Sequence, residues 1–126
     1  MSSMQPPTAS VRPRFDLEDR TLRFSDNVRS FIRKLKKTLV NVDDCKQLLR
    51  SSGSIGANYR EANNSLGSKD FLMHIRICRK ESKESVYWLQ LIETQQALQS
   101  ERQKLLQEAK ELELIFGAIL RNSTKK

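Results

Sequence analysis

All three prolines of this 126-residue chain, Pro6, Pro7 and Pro13, fall within its first 13 residues. From Arg14 onward no proline removes a backbone donor, and only Gly53, Gly56, Gly67 and Gly117 lack a side chain. Long uninterrupted helices are therefore open to the whole remainder. No segment sustains the apolar/polar alternation of a half-buried strand, and β-branched residues are sparse. The chain reads as all-α and as one domain, the unit that this length accommodates. Residues 1–13 read as a disordered, proline-rich tail, 14–121 as a four-helix domain and 122–126 as a basic tail.

Helical periodicity places the first helix at about Ser25–Leu39, with Ser25 as its N-cap and Asp26 at the positive end of its dipole. Its apolar stripe is Phe24, Val28, Phe31, Ile32, Leu35 and Leu39. A second helix is expected over Val42–Asn63, capped by Asn41, with the stripe Cys45, Leu48, Ser52, Ile55, Tyr59 and Ala62. Its centre, Ser51-Ser-Gly-Ser-Ile-Gly-Ala57, is small. Glycine in a helix interior costs about 1 kcal/mol relative to alanine, so close approach of a neighbouring backbone is the expected compensation. Asn63–Gly67 has the composition of a turn. The third helix is expected from Ser68 to about Gln95. The fourth is expected from Ser100, which has capping-box spacing to Gln103, to Arg121.

The third helix carries the most information. Phe71, Ile75, Cys78, Ser82, Ser85, Leu89 and Ile92 repeat in strict four-three alternation, the core seam of a helical bundle. The small, polar centre at Ser82 and Ser85 suits a close-packed partner, and the small stretch of helix two is the natural candidate. Arg76, Arg79, Lys80 and Lys83 share a second side. Met73, Ile77, Trp88 and Leu91 share a third, mixed with Asp70, Glu81 and Glu84. A bundle helix needs one apolar stripe, so the third side is read as a homo-oligomer interface. The competing reading is a wider core that wraps around this helix.

Residues Arg50-Ser-Ser-Gly-Ser-Ile-Gly-Ala-Asn58-Tyr-Arg-Glu61-Ala and Lys69-Asp-Phe71-Leu begin a longer pattern. It continues through Ile75-Arg-Ile-Cys-Arg-Lys-Glu81-Ser-Lys-Glu84-Ser and Tyr87-Trp-Leu-Gln-Leu-Ile92. The pattern resembles the 23S rRNA-intervening-sequence protein family. Family members often have Pro where this chain has Gly56, and Gly where it has Ala62. The resemblance implies an antiparallel up-down four-helix bundle that assembles as a homo-oligomeric ring, often a pentamer. It further implies nucleic-acid binding. A distant relative, the accessory protein of diversity-generating retroelements, implies the alternative of an accessory subunit that partners a nucleic-acid enzyme such as a reverse transcriptase.

Charge points the same way. Lys and Arg number 23 against 15 Asp and Glu, a formal net charge of +8. Arg29, Arg33, Lys34, Lys36 and Lys37 on helix one, with Arg76, Arg79, Lys80 and Lys83 on helix three, are the candidate nucleic-acid contacts. Arg12, Arg14, Arg121, Lys125 and Lys126 add charge from the tails. Such surfaces attract phosphate backbones through counterion release, largely without sequence preference. Few aromatics interleave with them, so base stacking is not indicated. Asn58, Glu61, Glu81 and Glu84 are expected near the contact of helices two and three. There, pairing with Arg50, Arg60 or Arg79 would set helix register, and the alternative is simple solvation.

Catalytic chemistry is not indicated. His74 is the sole histidine, and it shares a helix face with Cys78, but two ligands are too few for a metal site. Gly53-Ser-Ile-Gly56 lacks the Gly-Lys-Ser/Thr ending and the preceding strand of a phosphate loop. No metal, cofactor or catalytic constellation is expected. Two lone thiols, Cys45 and Cys78, exclude a disulfide scaffold and fit a reducing compartment. The longest apolar run, Leu114–Leu120, is too short for a membrane span. The N-terminal residues lack a basic start followed by an apolar stretch. The expectation is a cytoplasmic, non-enzymatic protein whose partners are copies of itself, nucleic acid and, in the alternative reading, another protein.

Overall fold

A computed structural model describes residues 13–123, with side chains from residue 17. It contains four helices: α1 (Pro13–Lys34), α2 (Leu39–Asn63), α3 (Ser68–Leu91) and α4 (Gln99–Ser123), the last preceded by a 3₁₀ turn at Gln96–Leu98. No strand occurs among the described residues. Arg12, Lys125 and Lys126, most of the expected N-terminal tail and the end of the C-terminal tail lie outside them, as does the Arg14 side chain.

α1 starts twelve residues before the expected Ser25. Leu17, Thr21, Phe24, Val28, Phe31 and Leu35 form one buried four-three stripe from its first turns into the following loop. Thr21 breaks the apolar pattern but is fully buried. Its hydroxyl donates to the Leu17 carbonyl at 2.7 Å, which removes the cost of burying it. Pro13 at the first helical position fits, because an N–H there has no intrahelical partner. α1 then stops at Lys34 rather than Leu39. Thr38 caps α2, its hydroxyl accepting from the Asn41 N–H at 3.1 Å, so the expected cap at Asn41 moves to Thr38.

α3 keeps the expected seam: Ile75, Cys78, Ser82, Ser85 and Leu89 are buried, with Ile92 just past the helix end and Phe71 packed at the edge. Its N-cap is Gly67, in extended conformation, one residue before the expected Ser68. The α3/α4 boundary falls at Ile92–Gln95, so α3 is shorter than expected. The expected Ser100 cap is also displaced, since α4 continues directly from the 3₁₀ turn.

α2 packs against α1 and α3, and α4 packs against α3 and α1, so four seams surround one core. Phe24 and Phe31 of α1, Leu48 and Ile55 of α2, Ile75 and Leu89 of α3, and Leu112 and Phe116 of α4 fill it. Each such side chain contributes about 1.5–3 kcal/mol on burial. Tyr59 of α2 reaches across to Phe116 of α4, with ring centroids 5.8 Å apart.

The small residues of α2 serve two neighbours. Ser51 faces α3, its hydroxyl 2.9 Å from that of Ser85. Gly56 faces α1, where a Cβ would lie 3.0 Å from Thr21 Oγ1. The α2/α3 contact expected for the whole stretch is thus made by its serines, while Gly56 lets α1 approach.

Candidate nucleic-acid interface

Arg76, Arg79, Lys80 and Lys83 project from the outer face of α3 into the α3/α4 seam. With Glu84 and Leu120 they line an open groove of about 480 Å³. Positions 76, 79, 80 and 83 share a face because their spacings follow the helical repeat. All four side chains are exposed, and none forms an ion pair among the described residues. Gly117 of α4 lies close to Arg79, one of the groove's lining residues. A Cβ added there would sit 3.5 Å from Arg121 Nη1 and 3.7 Å from Arg79 Nε, so guanidinium groups from both helices converge over this bare stretch of α4. Arg121, expected only as part of the tail charge, is therefore part of this site. The sequence signal was its spacing of four from Gly117, which puts both on one helix face.

The basic residues expected on helix one are dispersed instead. Because α1 ends at Lys34, Lys36 and Lys37 lie in the α1–α2 loop. There they and Lys46 border a small apolar hollow of about 150 Å³ between α1 and α2, whose wall includes Ile32, Leu35 and Leu49. Arg29 Nη1 donates to Ser25 Oγ at 2.6 Å. Arg33 is exposed. Lys34 turns to the opposite side and pairs with Glu101 of α4 at 2.8 Å.

The remaining two seams are closed by ion pairs. On α1/α4, Arg20 Nε donates to Glu108 at 2.6 Å and Arg20 Nη2 donates to Glu111 at 2.7 Å. The Glu108 hydrogen bond, with the charges of both carboxylates, holds the guanidinium more firmly in its charged form than usual. On α2/α3, Arg50 is ion-paired with Glu81 at 3.2 Å and with Glu84. Asn58 Oδ1 lies 3.1 Å from His74 Nδ1 across the same seam, while Asn58 Nδ2 donates back to the Ser54 carbonyl. Glu61, expected to join this set, is exposed and forms no ion pair among the described residues; Arg60 pairs with Glu18 of α1 instead.

The third side of α3 is divided. Trp88 packs against the core, with its Nε1 buried and unpartnered, in keeping with a wider core at that point. Ile77 is partly covered. Met73 and Leu91 stay open, at 45% and 48% exposure, but lie near opposite ends of the helix. Glu81 and Glu84, which lie between Ile77 and Trp88 in sequence, pair with Arg50 of α2 and put charge where the apolar face was expected to continue.

Cys78 is fully buried, its Sγ donating to the Ile55 carbonyl at 3.4 Å, and burial pushes the thiol up to about 12. No group of three metal-ligating side chains occurs among the described residues. No helix among them is long and apolar enough to cross a membrane.

Over residues 15–117 the chain matches the family described as 23S rRNA-intervening sequence protein. It is also similar to the crystal structure of a protein of unknown function from the S23 ribosomal protein family of Bacteroides thetaiotaomicron VPI-5482. The TM-score is 0.71 and the sequence identity 27%, covering 82% of this chain and 97% of that one. No curated protein matches the chain significantly.

Proposed function

The chain belongs to the 23S rRNA-intervening sequence protein family, and on that premise we propose that it is a non-enzymatic, homo-oligomeric bundle that binds nucleic acid through basic helix faces. The observation that carries this reading is the α3/α4 groove. Four cations of α3, without ion-pair partners among the described residues, line it, and Arg121 lies beside Arg79 over Gly117. A phosphate backbone laid along the groove would replace condensed counterions and gain the entropy of their release. The reading includes an antiparallel arrangement of the helices. Cross-seam partners support it, because Ser51 meets Ser85, Ile55 meets Cys78 and Asn58 meets His74, so numbers rise on one helix as they fall on the other. Self-association in a ring of five rests on the family resemblance, since Met73 and Leu91 stay exposed but lie near opposite ends of α3.

The test is binding of nuclease-treated protein to a labelled RNA hairpin and a DNA duplex across a salt series. A steep loss of affinity with salt is expected, and charge reversal at Lys80 and Lys83 should weaken binding of both probes. No binding at low salt would overturn the reading.

A second reading, a protein scaffold or accessory subunit, is favoured by the start of α2. Leu39 and Val40 are 88% and 52% exposed beside the lysine-bordered hollow. A protein that co-purifies regardless of nuclease treatment would select it.

A further inference from the structure

Two clusters of unpaired cations lie along seams of the bundle, and their placement has a geometry. In a four-cornered bundle the α1/α2 seam lies opposite α3/α4, and α2/α3 lies opposite α1/α4. On the α2/α3 seam Arg50 pairs with Glu81 and Glu84. On the α1/α4 seam Arg20 pairs with Glu108 and Glu111, and Lys34 with Glu101. The α3/α4 seam and the loop end of α1/α2 keep cations unpaired among the described residues, while Arg60 pairs with Glu18 at the other end of α1/α2. Arg76, Arg79, Lys80 and Lys83 line α3/α4. Lys36, Lys37 and Lys46 border α1/α2, and none of the three forms an ion pair among the described residues. Each subunit therefore carries a cluster of unpaired cations on each of two opposite sides, at the loop end of α1/α2 and along α3/α4.

We infer that one subunit holds two separate phosphate backbones, one against each basic seam, and so bridges two nucleic-acid duplexes. This rests on the nucleic-acid reading above and adds the number and placement of the bound strands. The separation decides between one duplex and two. Two helix layers put the basic sides about 20 Å apart. A duplex is stiff on that scale, with a persistence length of about 50 nm, so one lying along α3/α4 does not fold back to reach α1/α2. The second seam then faces away from the first duplex and is open to another.

The experiment uses the full chain with one short RNA duplex in two preparations, one carrying an energy-transfer donor and the other an acceptor. Wild-type protein should give transfer that rises with protein and falls again in excess, when every duplex acquires its own protein. Two triple variants separate the seams: Arg79→Gln/Lys80→Gln/Lys83→Gln, and Lys36→Gln/Lys37→Gln/Lys46→Gln. All six positions are exposed, and an unchanged helical circular dichroism spectrum confirms folding. Each variant should still bind one duplex, with its salt slope reduced by about three, one for each phosphate contact removed. Each should bind half as many duplexes per subunit at saturation, a ratio that self-association does not change. Wild-type binding without transfer overturns the inference and leaves the nucleic-acid reading standing. So does an unchanged duplex-to-subunit ratio in either variant, because the altered seam would then hold no duplex. Complete loss of single-duplex binding in one variant also overturns it, because one seam would then do all the binding. No duplex binding by the wild type overturns both.

Discussion

The Asn41 side chain holds the backbone of Glu93 from both sides. Its Nδ2 donates to the Glu93 carbonyl at 2.9 Å, and its Oδ1 accepts from the Glu93 N–H at 3.0 Å. The same Nδ2 donates to the Lys36 carbonyl at 3.1 Å. One buried amide thus ties the α1–α2 loop to the α3–α4 loop. Asn41→Ala strands the Glu93 N–H and two carbonyls, and should destabilise the protein by about 1–3 kcal/mol in urea titration. Asn41→Asp should be at least as damaging, because a carboxylate cannot donate to either carbonyl.

Gly56 and Gly53 sit three residues apart in α2 and should respond oppositely to alanine. At Gly56 the new Cβ would lie 3.0 Å from Thr21 Oγ1 and 3.4 Å from Thr21 Cβ, and that hydroxyl is already held by the Leu17 carbonyl. The strain should outweigh the gain in helix propensity, for a net loss of about 1 kcal/mol. At Gly53 the nearest atom is Ser25 Oγ at 3.9 Å, an ordinary contact. Gly53→Ala should therefore stabilise by about 0.5–1 kcal/mol, read as a rise in thermal midpoint.

Arg50 is half exposed, whereas the Glu81 side chain that it pairs with is only 7% exposed. Arg50→Met leaves that buried carboxylate without its cation. Water at the Arg50 end moderates the effect, so about 1–3 kcal/mol should be lost in urea titration. Adding Glu81→Gln to this variant should restore part of the loss, since a neutral amide is less costly to bury. Glu84→Gln alone should cost less than about 1 kcal/mol, because Glu84 is 35% exposed.

Cys78 supplies a titration. Folding raises its thiol from the ordinary 9.0 to about 12 through burial. The unfolded chain therefore releases this proton first as pH rises. The contribution of Cys78 to stability is intact below pH 9 and is lost as pH climbs from there toward 12. Cys78→Ala should flatten this alkaline decline. At neutral pH a thiol reagent should label Cys78 far more slowly in the folded than in the unfolded chain, because burial both holds the proton and excludes the reagent. Cys45 is also shifted upward by burial, then by the charge of Asp44, and should likewise be protected.

The buried face of α3 was legible from spacing alone, because Ile75, Cys78, Ser82, Ser85 and Leu89 repeat with the period of the helix that holds them. The first half of α1 was not. Ser25-Asp26 carries the local chemistry of a helix start, and Thr21 interrupts the stripe at a position where only tertiary burial shows that its hydroxyl is satisfied within the helix. The spacing of Arg76, Arg79, Lys80 and Lys83 puts them on one face of α3, whereas Lys36 and Lys37 lie past the end of α1, which no local signal marks. The convergence of Arg121 with Arg79 needed the packing of α4 on α3.

The amino-acid sequence by itself determined that the chain is helical, where its turns lie to within a few residues, which side of α3 is buried and that its surface is basic. These follow from local causes: proline exclusion, apolar spacing and side-chain charge act within one or two helical turns. Only the tertiary structure decided which neighbour each face meets. It set Gly56 against α1 and Ser51 against α3, drew Trp88 toward the core, and joined Arg50 to Glu81 and Glu84. It also paired Arg20, Lys34, Arg50 and Arg60 across helix seams and left Arg76, Arg79, Lys80 and Lys83 without an ion pair among the described residues. A helical period of 3.6 residues specifies which side chains share a face, but the identity of the helix across from that face depends on how four helices turn around their common core.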